Sequence, residues 1–172
     1  MIKEFTQWLS QTHLNAVFSD TTHLSTWLII PVSQCVHILG VTVVMISVGV
    51  LNLNLLGIAG TRQNFAQLAK ALIPWIWGAL IVLFITGTIQ TIAEPNRELL
   101  NVSFRVKMAM LLVTAAITLI YQITLKKDPH FWEISRERRQ TGRLLATISL
   151  VLWVGIAAAG RLIAYIDIRL DF

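Results

Sequence analysis

The chain has 172 residues, 55% of them hydrophobic, with a mean hydropathy of +0.68 and a net charge of +5. A soluble domain of this size cannot hide that much apolar surface in one core. The excess of Lys and Arg does not identify a nucleic-acid partner, because loops on the cytoplasmic side of membrane proteins carry the same bias. Cys35 is the only cysteine, which excludes an internal disulfide and a cysteine-based metal cluster.

Residues 1–18 set Ile2, Phe5, Trp8 and Leu9 at helical spacing with polar residues between them. This predicts an N-terminal amphipathic helix lying in the membrane interface. No apolar core of a cleavable signal precedes the first long span, so that span is expected to direct insertion.

Four long apolar stretches follow, and together they predict an all-α, four-helix transmembrane bundle forming one integral membrane domain over 1–172. The unbroken runs exclude the alternating pattern of a barrel. Span one is expected over about 25–57. It opens at Ser25-Thr26-Trp27, a capping residue and an interfacial aromatic, with Pro31 near its start and Asn52 and Asn54 near its end. It is longer than a bilayer requires, which implies tilt or protrusion. Span two is expected over about 71–92, opened by Pro74-Trp75-Ile76-Trp77. Spans three and four are expected over about 103–125 and 143–166, with Asp128-Pro129 ending span three. Trp27, Trp75 and Trp77 fit interface belts, whereas Trp153 lies mid-span.

The loops joining spans one to two and three to four hold Arg62, Lys70, Lys126, Lys127, Arg136, Arg138, Arg139 and Arg143, most of the fourteen Lys and Arg. These loops are therefore expected on the cytoplasmic side of a bacterial inner membrane, with both termini on the other side.

This orientation gathers the intramembrane ionisable residues at one end. His37 lies about 12 residues, or about 18 Å, into span one. Lys107 lies about 6 Å into span three, and Arg161 lies one to two turns from the end of span four. Glu94, Pro95 and Asn96 cap the same end, and Thr86, Gly87 and Gln90 reach it from span two. A charge or imidazole in hydrocarbon is read first as a functional site.

An imidazole at mid-depth with two cations nearer the surface suits haem b. His37 is the expected axial ligand to iron. Lys107 and Arg161 are expected propionate partners, with Lys107 also a candidate second ligand beside Met108, Met45 and His23. Gly40 is expected to let the macrocycle approach the backbone, and Ser33 and Gln34 to fix the imidazole. The expected function is electron transfer between a quinone or membrane partner and an acceptor on the outer face. The alternative is a non-enzymatic anchor or assembly subunit of a membrane or periplasmic complex, in which these residues form an interhelical polar network. The candidate partners are the lipid bilayer, a quinone, a membrane or periplasmic protein and a second copy of the chain. A small permease fits less well, since four helices are few and no inverted repeat is visible. Gly155, Ala159 and Gly160 read as close-packing positions in either case.

Several blocks carry a resemblance. They are His37-Ile38-Leu39-Gly40, Leu51-Asn52-Leu53-Asn54-Leu55-Leu56-Gly57, Glu94-Pro95, Asn101 with Phe104 and Lys107, Ser149 to Trp153 and Gly160 to Tyr165. In order and spacing, over about residues 25–166, the chain resembles a family of bacterial four-helix inner-membrane proteins of unknown function. Members commonly carry an acidic residue where this chain has Asn52. More remotely, His37 and Lys107 are similar in placement to residues of two haem-associated groups, the membrane protoporphyrinogen oxidase and the copper-resistance D type of membrane protein. That likeness implies haem binding at His37 and Lys107. The chain lacks the oxidase's fuller set of histidines and tryptophans, so the oxidase reaction is not implied.

Overall fold

The computed structural model describes residues 2–19, 24–58, 64–132 and 134–165. Among these are seven helices and no strand: α1 (Ile2–Ser10), α2 (His13–Ser19), α3 (Leu24–Leu56), α4 (Phe65–Ala93), α5 (Pro95–Leu99), α6 (Val102–Lys127) and α7 (Arg136–Tyr165). Four of them, α3, α4, α6 and α7, are long and apolar enough to cross a membrane.

Large apolar side chains cover the outside of these four helices. Phe84 and Leu112 are each 72% exposed, and Ile38, Leu39, Ile81, Val151 and Val154 also point outward. A water-soluble surface does not carry such a continuous coat, while hydrocarbon requires one. Exposed hydroxyls within the coat are satisfied inside their own helices. Thr42, Thr88 and Thr124 donate to the carbonyls of Ile38, Phe84 and Ile120.

The inward faces meet in a core that includes Val44, Val48, Leu51, Ile73, Ile76, Ile117, Tyr121, Trp153 and Ile156. Helix α3 packs mainly on α4 and α7, and α6 packs mainly on α7, whereas α4 and α6 touch much less. Asn52 is fully buried in the core. Its Nδ2 donates to Ser149 Oγ at 3.0 Å, and its Oδ1 accepts from the Tyr121 hydroxyl at 3.4 Å, which links α3, α7 and α6. At the end nearest the α3–α4 and α6–α7 connections, Phe65, Tyr121, Trp132 and Phe131 stack edge to face, with the Arg138 guanidinium 4.4 Å from the Phe131 ring centroid.

Helix ends are set by local chemistry. Gly57 has a φ of +78°, its N–H donates to the Asn54 carbonyl, and the Ile58 N–H donates to the Leu53 carbonyl. This Schellman arrangement stops α3 where only glycine adopts the left-handed turn without strain. Asn101 starts α6 by accepting from the Ser103 N–H at 2.9 Å.

Two boundaries differ from expectation. Helix α4 begins at Phe65, before the expected start near Ala71, because Phe65, Leu68 and Ala69 bury against the bundle and carry the helix past Pro74. Helix α7 begins at Arg136 rather than near 143, so its first two turns are polar and precede the apolar stretch. The N-terminal amphipathic segment forms two short helices, not one. Helix α1 packs on α5 and α2 packs on α4, while α1 keeps Phe5 and Trp8 exposed. Asn15 Nδ2 donates to the carbonyls of Ile92 and Ala93 at 2.7 and 3.2 Å, occupying acceptors that the last turn of α4 leaves open.

Candidate functional site

His37 sits half-buried on the face of α3 that meets α4. Its Nδ1 lies 2.8 Å from Thr86 Oγ1, and Thr86 Oγ1 lies 2.8 Å from the Val82 carbonyl. A threonine hydroxyl carries one proton. When that proton goes to the Val82 carbonyl, Nδ1–H of His37 is the donor to Thr86, and Nε2 keeps its lone pair. Gly87 completes the seat, since a Cβ there would stand 3.5 Å from His37 Cε1. Ser33, one turn before His37, is buried and donates to the Thr86 carbonyl at 3.3 Å. Two side chains of α3 thus converge on one residue of α4.

Lys107 enters the same end from α6. Its Nζ lies 3.7 Å from where a Cβ would stand on Gly160 of α7, so glycine leaves room for the ammonium. The Lys107 charge acts on Glu98. Glu98 lies in α5, outside the spans. Burial holds its carboxyl above the ordinary value of 4.5 and Glu94 adds to this, while Lys107 and Arg97 oppose it. Glu94 itself pairs with Arg97 at 2.7 Å on the surface, where such a pair contributes little. Gln90, one turn beyond Thr86, has a buried Nε2 that meets no hydrogen-bond partner among the described residues.

The expected residues fare differently. His37, Ser33 and Thr86 come together, while Lys107 lies beside Gly160 of α7. Imidazole orientation is set by Thr86; Ser33 acts on the Thr86 backbone, and Gln34 is exposed. Gly40 is buried against α4, where a Cβ would stand 3.1 Å from Leu83 Cδ2. The space reserved for a macrocycle beside Gly40 is occupied by leucine, and the glycine serves helix packing. Arg161 is exposed on α7. Among the candidate second ligands, Met45 packs against the core and Met108 is 38% exposed. His23 and the side chain of Trp27 lie outside the described residues. Trp75 is exposed, whereas Trp77 turns inward and donates to Gln122 Oε1 of α6 at 3.0 Å. Gly155 and Gly160 receive the side chains of Met110 and Lys107.

Glu98 and Asn15 were not legible as members of this end. Glu98 is a single acid in a five-residue helix, and the role of Asn15 depends on how α2 docks. Among the described residues, no three His, Cys, Asp or Glu side chains converge to hold a metal ion.

A family model, DUF6644, a family of unknown function, matches residues 10–166. The chain belongs to DUF6644. The match covers the docked α2 as well as the four long helices, so DUF6644 extends beyond the bundle to part of its cap. No curated protein and no solved structure matches the chain. The DUF6644 match carries no link to the membrane protoporphyrinogen oxidase or to the copper-resistance D proteins.

Proposed function

We propose that this DUF6644 member is a haem-b-binding electron-transfer protein of a bacterial inner membrane. Its site lies at the end of the bundle that carries α5, with both termini facing away from the cytoplasm. The orientation rests on the basic residues in the α3–α4 and α6–α7 connections. The electron donor or acceptor is a quinone or a membrane or periplasmic protein.

The observation that carries the reading is the bond between His37 and Thr86. Axial histidines hold iron through one nitrogen while the other donates to a fixed acceptor. With the Thr86 proton on the Val82 carbonyl, His37 fits that arrangement and Nε2 is the nitrogen left to hold metal. Lys107 supplies a cation for a propionate at the same end, and the unpartnered Nε2 of Gln90 supplies an N–H donor. Gly40, closed off by Leu83, does not fit the role of admitting a macrocycle. Haem held by His37 would supply one-electron transfer. The protein's own residues orient the imidazole and counter the negative charge.

A second reading is favoured by Leu83 filling the space beside Gly40. Ser33, His37 and Thr86 also satisfy one another without a ligand, as expected of an interhelical lock in a membrane anchor or assembly subunit. Haem quantified in detergent-purified protein separates the two. Close to one haem per chain supports the redox reading. A colourless preparation carrying a stoichiometric partner protein supports the subunit reading.

A further inference from the structure

At the opposite end of the bundle, the loose seam between α4 and α6 opens into a cavity of about 440 Å³, within the range of small-ligand sites. Its walls are apolar: Ala69, Ile73 and Pro74 from α4 face Leu125 of α6. Lys70 and Lys126 stand at its rim, one from each helix. Both are exposed, and among the described residues neither has an acidic partner. Each lies where its helix passes from the apolar stretch to the polar connection, which is headgroup depth in a bilayer.

One backbone feature adds a polar contact. Pro74 has no N–H, so the Lys70 carbonyl one turn earlier lacks its usual helical donor. An acceptor beside two cations suits a headgroup that combines a phosphate with a hydroxyl.

We propose that the α4–α6 groove binds one anionic glycerophospholipid, such as phosphatidylglycerol. Its phosphate sits between Lys70 and Lys126, a headgroup hydroxyl donates to the Lys70 carbonyl, and part of one acyl chain lies along Ile73, Pro74 and Leu125. The charge complementarity and the position of the cations above an apolar slot fit a lipid, since a soluble anion would leave the slot unused. Trp77, bonded to the groove-lining Gln122, holds α4 to α6 and keeps the seam from opening further.

Native mass spectrometry of the full chain, released from micelles doped equally with phosphatidylglycerol and phosphatidylcholine, tests this. The expected result is one retained phosphatidylglycerol, preferred over phosphatidylcholine. The double variant Lys70→Gln/Lys126→Gln should weaken retention by about tenfold or more, while Lys127→Gln, outside the groove lining, retains it. Ile73→Trp should also expel the lipid by filling the slot with both cations in place. Equal retention of the two lipids, unchanged retention in the double variant, or full displacement by inorganic phosphate alone would each overturn the proposal.

Discussion

His37 Nδ1 and Thr86 Oγ1, on adjacent helices, lie 2.8 Å apart, which commits Nδ1 to the α3–α4 seam. Thr86→Val keeps the shape of the side chain but removes the acceptor. It leaves the half-buried Nδ1 without its partner, at a cost of about 1–3 kcal/mol. The thermal unfolding midpoint in detergent should fall. Thr86→Ser keeps the hydroxyl and should restore most of the loss.

Asn52 contributes through two partners at once. Ser149→Ala removes one hydrogen bond and should cost about 0.6 kcal/mol, the average for polar contacts within membrane bundles. Asn52→Ala strands both Ser149 and Tyr121 and leaves a cavity, so its loss should be severalfold larger. A double-mutant cycle between Asn52 and Ser149 should give a coupling energy clearly above zero.

Glu98 gives the protein a pH dependence of definite sign. Its folded-state carboxyl holds a proton more tightly than the unfolded one, whose ordinary value is 4.5. The stability linked to that proton is complete below the ordinary value and is lost as pH rises through the higher folded value. Unfolding midpoints measured at rising pH above the ordinary value of 4.5 should decline in the wild type. The decline should be shallower in Glu98→Gln.

Two glycine substitutions should move stability in opposite directions. At Gly142 a Cβ would stand 3.0 Å from Trp132 Cε3 and 3.4 Å from Leu55 Cδ2, so overpacking of about 1–3 kcal/mol outweighs the helix-propensity gain of up to about 1 kcal/mol. At Gly49 nothing among the described residues stands within 4 Å of an added Cβ, so only the gain remains. Gly142→Ala should lower the unfolding midpoint, and Gly49→Ala should raise it.

The four spans were legible because uninterrupted apolar length is a local property, and the apolar coat that dictates it is visible residue by residue. What joins the spans is not local. Ser33, Gln34 and Thr86 are all polar groups near the level of His37, and the register of α3 against α4 decides which of them meets the imidazole. Trp77 looked interfacial because it follows Pro74 and Trp75. Helix α4 starts at Phe65, twelve residues earlier, and that places Trp77 deeper, on the face that meets α6. Gly40 shows the same limit, since glycine on a helix face admits a cofactor or a neighbouring leucine equally well, and here α4 supplies Leu83.

Lys107 tests the cation side of the site. Lys107→Met keeps the length of the chain and removes the charge near His37 and Glu98. If Lys107 pairs with a propionate or ligates iron, the visible spectrum of purified protein should shift or weaken. An unchanged spectrum would reduce Lys107 to a residue that extends its ammonium toward the headgroups.

The most direct test is the visible absorption spectrum of detergent-purified wild type beside His37→Ala and His130→Ala. A Soret band in the wild type, abolished in His37→Ala and retained in His130→Ala, is the predicted result. A colourless wild type, or a band that survives in His37→Ala, would contradict haem ligation by His37.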